Sequence, residues 1–183
     1  GSSLEPLLIE AMNNGDDSYS IRRALNGVMG YFSVEQAAEA VCQGKSIPGA
    51  SDFDPSSQEK HILYIINTFH SLDNLIHNEN KWLDQLKSNK ARKPENLQLV
   101  VCFREIWKEL EKCLYGGFLI PLYRGRVFVD GEIYAAKTGE KIGNFSFSSG
   151  EPGECPESIE SCLGCGPEYL YEEIPFSKLA DWL

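Results

Sequence analysis

The cysteines near the end of the chain are the residues whose spacing points most directly to chemistry. Cys155, Cys162 and Cys165 lie close together, and the C-x2-C spacing of the last two lets a tight turn bring two thiolates to one Zn²⁺. A structural zinc site needs a fourth ligand, which would have to come from Cys113 or a histidine elsewhere in the chain. The sequence therefore favours free thiols and no cofactor, with zinc as the alternative. A disulfide from Cys155 to Cys162 or Cys165 is a third interpretation if the protein is exported.

The other three cysteines, Cys42, Cys102 and Cys113, lie among apolar residues in segments with helical periodicity. A free cysteine in such surroundings behaves as a small hydrophobic side chain. This distribution predicts a reducing, cytoplasmic or nucleocytoplasmic environment rather than a disulfide framework.

Three histidines offer a further route to chemistry. His61, His70 and His77 fall on one predicted helix, and Asp73 lies next to His70 in helical spacing. An enzyme with a shallow His70–Asp73 site between the helices and the β-strands is thus an alternative function. The chain contains no P-loop, zinc-protease or nucleophile-elbow motif that would name a reaction.

A short motif in the acidic tail suggests a binding function. Tyr171, Glu172, Glu173 and Ile174 spell Y-E-E-I. This tetrapeptide resembles the phosphotyrosine ligand of Src-family SH2 domains. The resemblance implies that a phosphate on Tyr171 would meet an arginine pocket, that the two acids would face a basic rim, and that Ile174 would fill an apolar pocket.

A second pattern follows in the last residues. Phe176, Leu179 and Leu183 share a face if this segment is helical, and Trp182 flanks that face. Aromatic and aliphatic side chains in a short acidic segment are typical of sequences that dock into a partner's groove. Covering the domain's own core is the other interpretation.

Charge is distributed unevenly along the 183 residues. Residues 1–129 carry 16 acids and 14 bases, whereas residues 130–183 carry 11 acids and 3 bases, so the second part holds −8 of the total net charge of −10. This balance argues against a nucleic-acid partner. No apolar run is long enough for a membrane span. One basic cluster, interpreted as a solvated connector, comprises Lys81, Lys87, Lys90, Arg92 and Lys93.

The elements that would position these residues are predicted from hydrophobic periodicity. Helical spacing occurs over Leu4 to Met12, Ile21 to Met29, Ser33 to Val41, Ile62 to Ile76 and Pro94 to Tyr115. Ser33 and Gln36 have capping-box spacing, and Gly44 follows the third segment as a helix stop. Strands are predicted at Phe118 to Tyr123, Arg126 to Asp130, Glu132 to Lys137 and Ile142 to Phe147, with a hairpin turn at Asp130-Gly131.

These elements predict an α+β fold. An N-terminal bundle of four or five helices would pack on a small antiparallel meander within a single domain at residues 4–147. An irregular acidic tail that is partly ordered would cover residues 148–183. The predicted function is a non-enzymatic interaction module, an adaptor or regulator in an intracellular signalling or host-directed protein, whose tail docks a partner such as an SH2 domain.

Overall fold

The computed structural model describes residues 4–15, 17–57, 61–67, 90–114, 121–157, 168–170 and 172. Within these ranges, helices precede a mixed sheet. The helices are α1 (Leu4–Asn13), α2 (Tyr19–Val28) and α3 (Val34–Cys42), and a short 3-10 helix covers Pro94–Asn96. The strands are β1 (Leu63–Asn67), β2 (Leu99–Leu114), β3 (Pro121–Ala135), β4 (Lys141–Ser148) and β5 (Glu168–Leu170).

The sheet is built around the long antiparallel pair of β2 and β3. Their register pairs Leu99 with Ala135 and shifts once, between Glu109 and Glu111. β1 runs parallel to the start of β2, and β4 runs antiparallel to the second half of β3. β5 runs parallel to the first half of β3.

The α+β class is compatible with this arrangement, but the predicted details are wrong. The part of the chain that the structure describes has three α-helices, so a bundle of four or five helices is not present there. The sheet is mixed rather than a purely antiparallel meander. An irregular tail is also wrong for residues 168–170, because they form β5.

The largest correction concerns Pro94 to Tyr115, which is a strand over most of its length. Val100 and Cys102 pack toward α3, whereas Leu99, Val101 and Phe103 pack on the opposite face of the sheet. A strand that is covered on both faces reads as a continuous apolar run without alternation. The helical spacing of its apolar residues is therefore coincidental, and the 3-10 helix at Pro94–Asn96 is its one helical turn.

The segment Ile62 to Ile76 was also predicted as a helix, and this is wrong for Leu63–Asn67, which forms β1. Isoleucine and tyrosine favour strands, and the neighbouring β2 supplies hydrogen-bond partners that sequence spacing cannot show. The remainder of the predicted helix lies outside the described residues.

The dipeptide Asp130-Gly131 is not a hairpin turn, because β3 runs through it. Gly131 pairs with Phe145 of β4, and a Cβ at this glycine would lie 2.2 Å from the Phe145 ring. The glycine is therefore required for close packing rather than for a turn. The next predicted turn is correct, since residues 136–138 leave β3 and Gly139 has φ 71°.

The predicted start and end of α3 are confirmed. The Ser33 hydroxyl accepts a hydrogen bond from the backbone N–H of Gln36. The side-chain oxygen of Gln36 accepts one from the backbone N–H of Ser33, which completes the capping box. Gly44 has φ 81°, a left-handed conformation that suits the end of a helix. Val34, Ala37, Ala38 and Val41 are buried against the sheet, as their spacing predicts.

Two disulfides join elements within the described part of the chain. Cys42 at the end of α3 is bonded to Cys102 of β2, and Cys113 near the end of β2 is bonded to Cys155. The expectation that Cys42, Cys102 and Cys113 are free is therefore wrong. Each disulfide links two elements that are distant in sequence.

Candidate functional site

The predicted zinc ligands do not act together in this structure. Cys155 is in a disulfide, and a disulfide sulfur is not the thiolate that zinc requires. The suggested pairing of Cys155 with Cys162 or Cys165 is wrong for the same reason, and those two cysteines lie outside the described residues. Within the described ranges, no group of three or more histidine, cysteine, aspartate or glutamate side chains is arranged to hold a metal ion.

The predicted tail motif is described only at Glu172. This residue is exposed and lies beside Gly150, where an added Cβ would be 3.2 Å from the Glu172 Cβ. Glu168–Leu170, immediately before the motif, is held in the sheet as β5. The other predicted docking residues lie outside the described ranges: Tyr171, Glu173, Ile174, Phe176, Leu179 and Trp182.

The predicted histidine site is likewise untested, because His70, His77 and Asp73 lie outside the described residues. His61 is described and contacts the Phe53 ring edge-on, with 4.7 Å between ring centroids. The His70–Asp73 enzyme stays a prediction.

A ladder of polar side chains lies on the sheet next to the Cys42–Cys102 disulfide. The Glu132 carboxylate accepts hydrogen bonds of 2.5 Å from Lys141 Nζ and from the Tyr134 hydroxyl. These donors lower the pKa of Glu132, and the hydrogen bond to Glu132 together with burial raises the pKa of Tyr134 to about 12. Glu132 therefore stays ionised and Tyr134 stays protonated at neutral pH, so this pair is not tuned to exchange protons there.

Among the large hydrophobic residues in the described ranges, Phe32 has the highest exposed fraction, 78%. This residue occupies the corner between α2 and α3. Grooves flank it on both sides, one of about 390 Å³ that reaches α2 and one of about 540 Å³ that reaches the first turn of α3. Both volumes fall in the range of about 300–1,000 Å³ that ligand sites occupy.

The backbone of this corner is fixed by local hydrogen bonds. Gly30 has φ 85° and ends α2, and the Tyr31 amide donates to the Asn26 carbonyl at 2.8 Å. The Phe32 amide donates to Gln36 Oε1 at 3.1 Å, which extends the capping box by one residue. Phe32 precedes the N-cap, where a hydrophobic residue often packs on the helix, yet its ring points into solvent. The corner thus presents an aromatic ring on an ordered backbone.

Basic side chains surround this ring. Arg23 of α2 and Lys93 line the groove on one side, and Lys90, Arg92 and Lys93 line the groove on the other. All four cations are exposed. We call the following residues the Phe32 surface: Tyr19, Arg23, Tyr31, Phe32, Lys90, Arg92 and Lys93.

Aromatic rings hold two of the lysines in place. Lys93 Nζ hydrogen-bonds the Tyr19 hydroxyl at 3.0 Å and lies 5.5 Å from the centre of that ring. Lys90 Nζ lies 4.9 Å from the centre of the Tyr64 ring. The Tyr64 hydroxyl donates to Glu35 at 2.9 Å. Glu35 is held ionised because its own backbone amide and Tyr64 lower its pKa, and burial raises the pKa of Tyr64 to about 12.

A partly buried polar contact joins the two halves of this surface. Arg22 of α2 donates to the Glu95 carbonyl at 3.0 Å and to Ser51 Oγ at 2.7 Å, and Ser51 Oγ donates to the same carbonyl. Pro94 and Glu95 are buried beneath α2. Arg23 and Lys93 therefore line the same groove although 70 residues separate them in the sequence.

Close packing beneath α2 strengthens this connection. The buried Asn26 donates to the Gly49 carbonyl at 3.3 Å. A Cβ at Gly49 would lie 2.3 Å from Asn26 Oδ1 and 2.4 Å from the Arg22 carbonyl oxygen. Only a glycine allows α2 to approach the loop this closely.

Sequence reasoning missed this surface for a specific reason. Sequence alone interprets the basic cluster, to which Lys90, Arg92 and Lys93 belong, as a solvated connector. The other two members of that cluster, Lys81 and Lys87, lie outside the described residues. The sequence feature that could have predicted an exposed ring is the position of Phe32 between Gly30, which ends one helix, and Ser33, which begins the next. An aromatic side chain in so short a connection has little room to turn back onto the domain. Nothing in the sequence indicates that Arg23 and Lys93 line one groove.

Comparisons of the chain with protein-family models, with curated proteins and with solved structures give no match. Among the described helices, none is long and apolar enough to cross a membrane. The arguments for function therefore depend on the described surface itself.

Proposed function

We propose that this protein is a non-enzymatic interaction module that docks a protein partner on the Phe32 surface. The observation that carries the proposal is the 78% exposure of Phe32 on a backbone fixed by the α3 capping box. Aromatic side chains and arginine are enriched among the residues that dominate binding energy in protein interfaces. A ring presented on an ordered corner loses little conformational freedom when a partner covers it.

The two disulfides bear on where such a module works. Disulfides persist in oxidising compartments and are rare in the cytosol. The Cys42–Cys102 and Cys113–Cys155 pairs therefore favour a host-directed protein that folds in an oxidising compartment over a cytoplasmic adaptor. This proposal replaces the cytoplasmic expectation, whose physical basis was free cysteines.

Selection from a displayed peptide library tests docking without a known partner. Random twelve-residue peptides would be selected on the wild-type protein, and each enriched peptide would then be measured against Phe32→Ala. Burying one aromatic side chain contributes about 1.5–3 kcal/mol, so the loss of affinity should be about tenfold or more. Phe32→Ala should keep the wild-type melting temperature, because an exposed side chain contributes little to stability.

Ile106→Ala provides the matched control. Ile106 is 42% exposed on β2 and is not part of the Phe32 surface. Enriched peptides should bind this variant as they bind wild type. A set of peptides that binds Phe32→Ala and wild type equally well would refute the proposal.

A second candidate function, which requires that the folded protein reach a cytosol where tyrosine kinases act, is docking of the Y-E-E-I motif to an SH2 domain. The exposure of Glu172 favours it, since the second residue of the motif is accessible. Phosphorylation of Tyr171 should create SH2 binding and Tyr171→Phe should abolish it, whereas Ile174→Ala should weaken it by about 1–2 kcal/mol. No SH2 binding by a quantitatively phosphorylated chain would rule this function out.

A further inference from the structure

We infer that the partner of the Phe32 surface is a short acidic peptide segment that carries a large apolar side chain to pack on Phe32. This inference rests on the proposed docking function and adds the chemistry of the partner. It follows from the charges around the ring, from the apolar character of its neighbours and from the net charge of the whole chain.

The first step is the local charge. Arg23, Lys90, Arg92 and Lys93 are exposed around Phe32, and none forms a direct ion pair with a carboxylate in the described ranges, although the charge of Lys90 contributes to lowering the pKa of Glu35. Among the described residues that line the grooves, two are carboxylates, Glu35 and Glu95, and the second is only 5% exposed. The Phe32 surface therefore carries a net positive charge.

The second step is the contrast with the rest of the molecule. The chain has a net charge of −10, and most of it comes from residues 130–183. A long polyanion such as a nucleic acid, or an extended anionic membrane, would reach beyond the cationic patch and be repelled by the acidic remainder. A peptide a few residues long can contact the patch alone. An anionic ligand can thus be attracted by the Phe32 surface without being repelled by the acidic remainder of the chain only if the ligand is short.

The third step is the mixture of cations and rings. Tyr19 and Tyr64 support Lys93 and Lys90 through their ring faces, so the ammonium groups lie next to apolar surface. A carboxylate that approaches these lysines brings its neighbouring side chains against Tyr31 and Phe32. Acidic residues flanking a large apolar residue satisfy both requirements, whereas a free phosphate satisfies only the charge.

Fluorescence anisotropy with a graded peptide series tests this chemistry. Each labelled peptide would hold a central leucine or phenylalanine, flanked by zero, two or four glutamates, with a lysine version as a counterpart. Affinity should rise with each pair of glutamates by about threefold or more, and it should fall as NaCl is raised from 50 to 500 mM, because exposed charges are screened over about 8 Å at physiological salt. The lysine peptides should not bind.

Charge-reversal variants test whether the cations of the Phe32 surface attract the acidic peptide. Arg23→Glu with Lys93→Glu should weaken binding of the four-glutamate peptide by at least about tenfold, since both attractions become repulsions. Lys108→Glu with Lys112→Glu changes the net charge equally, but on β2, and should leave the affinity within about twofold of wild type. Near-UV circular dichroism would verify that both variants are folded.

The outcomes separate this inference from the docking function. Peptide affinity that is lost in Phe32→Ala, yet is independent of glutamate number and of Arg23 and Lys93, would overturn the acidic partner and leave docking intact. Tighter binding to a 24-nucleotide single-stranded DNA, or to vesicles with phosphatidylserine, than to the four-glutamate peptide would also overturn it. Affinity unaffected by Phe32→Ala would overturn both.

Discussion

Removal of the Cys42–Cys102 disulfide should strongly destabilise the fold. The bond closes a loop across a sequence separation of 60 residues. By the chain-entropy relation, a loop of this length corresponds to a stabilisation of about 4 kcal/mol. For a chain of 150–250 residues this converts to a decrease in melting temperature of about 8–16 °C. The packing around the bond adds to this expectation, because Cys102 is 8% exposed beneath α3.

Thermal unfolding of the double variant Cys42→Ala/Cys102→Ala, followed by circular dichroism, measures this effect. Peptide mapping of the non-reduced wild-type protein would first verify that the two residues are linked. Cys113→Ala/Cys155→Ala is the comparison, since its separation of 42 residues predicts a similar entropic loss at a different place in the fold. A melting temperature equal to that of wild type, or alkylation of Cys42 and Cys102 before reduction, would refute this reasoning.

Three further perturbations test individual contacts. Gly125→Ala should cost about 1–3 kcal/mol in denaturant unfolding, because its Cβ would lie 2.4 Å from the Trp107 ring; an unchanged midpoint would contradict this packing. The folded-state pKa of Glu132 lies below its ordinary value of 4.5, so wild type should lose stability as the pH falls through and below that value. Glu132→Gln should lack the share of this loss that Glu132 contributes, so its stability should fall less steeply with pH, and an acid-unfolding curve parallel to that of wild type would contradict the assignment. Gln36→Ala removes half of the capping box and should lower stability by about 1 kcal/mol, measured by thermal unfolding; no change would show that the cap contributes nothing.

Local signals in the sequence predicted local structure correctly. The capping box at Ser33 and Gln36, the stop at Gly44 and the turn at Gly139 all depend on residues within one or two turns of each other. These features need no tertiary partner to form. The first three helices were accordingly located to within a few residues.

The sheet was mispredicted because its pattern depends on partners distant in sequence. Leu110 has helical spacing with Phe103, yet it is 49% exposed at the register shift in β2, whereas Phe103 is 7% exposed. Two charged residues of β2, Arg104 and Glu111, pair across the strands with Asp130 and Arg124, contacts that sequence spacing cannot show. The two disulfides were missed for the same reason, since spacing cannot show which cysteines meet.

The candidate site could be predicted only in fragments. The capping box at Ser33 and the cluster of basic residues were predicted, but neither prediction included Phe32. Their meeting requires α2 to dock on the 3-10 helix through Arg22 and Glu95, which no local pattern specifies. The exposed Phe32 ring and the basic residues indicate a binding surface only because the structure brings these elements together.

The most direct test of the docking function is a two-dimensional ¹H–¹⁵N NMR titration of the wild-type protein with a library-selected peptide. The Phe32 surface predicts that the largest chemical-shift changes fall on the amides of residues 31–37 and 90–95, and that they are absent in Phe32→Ala. Changes concentrated instead on the β2 residues 104–114, with residues 31–37 unaffected, would contradict docking at Phe32.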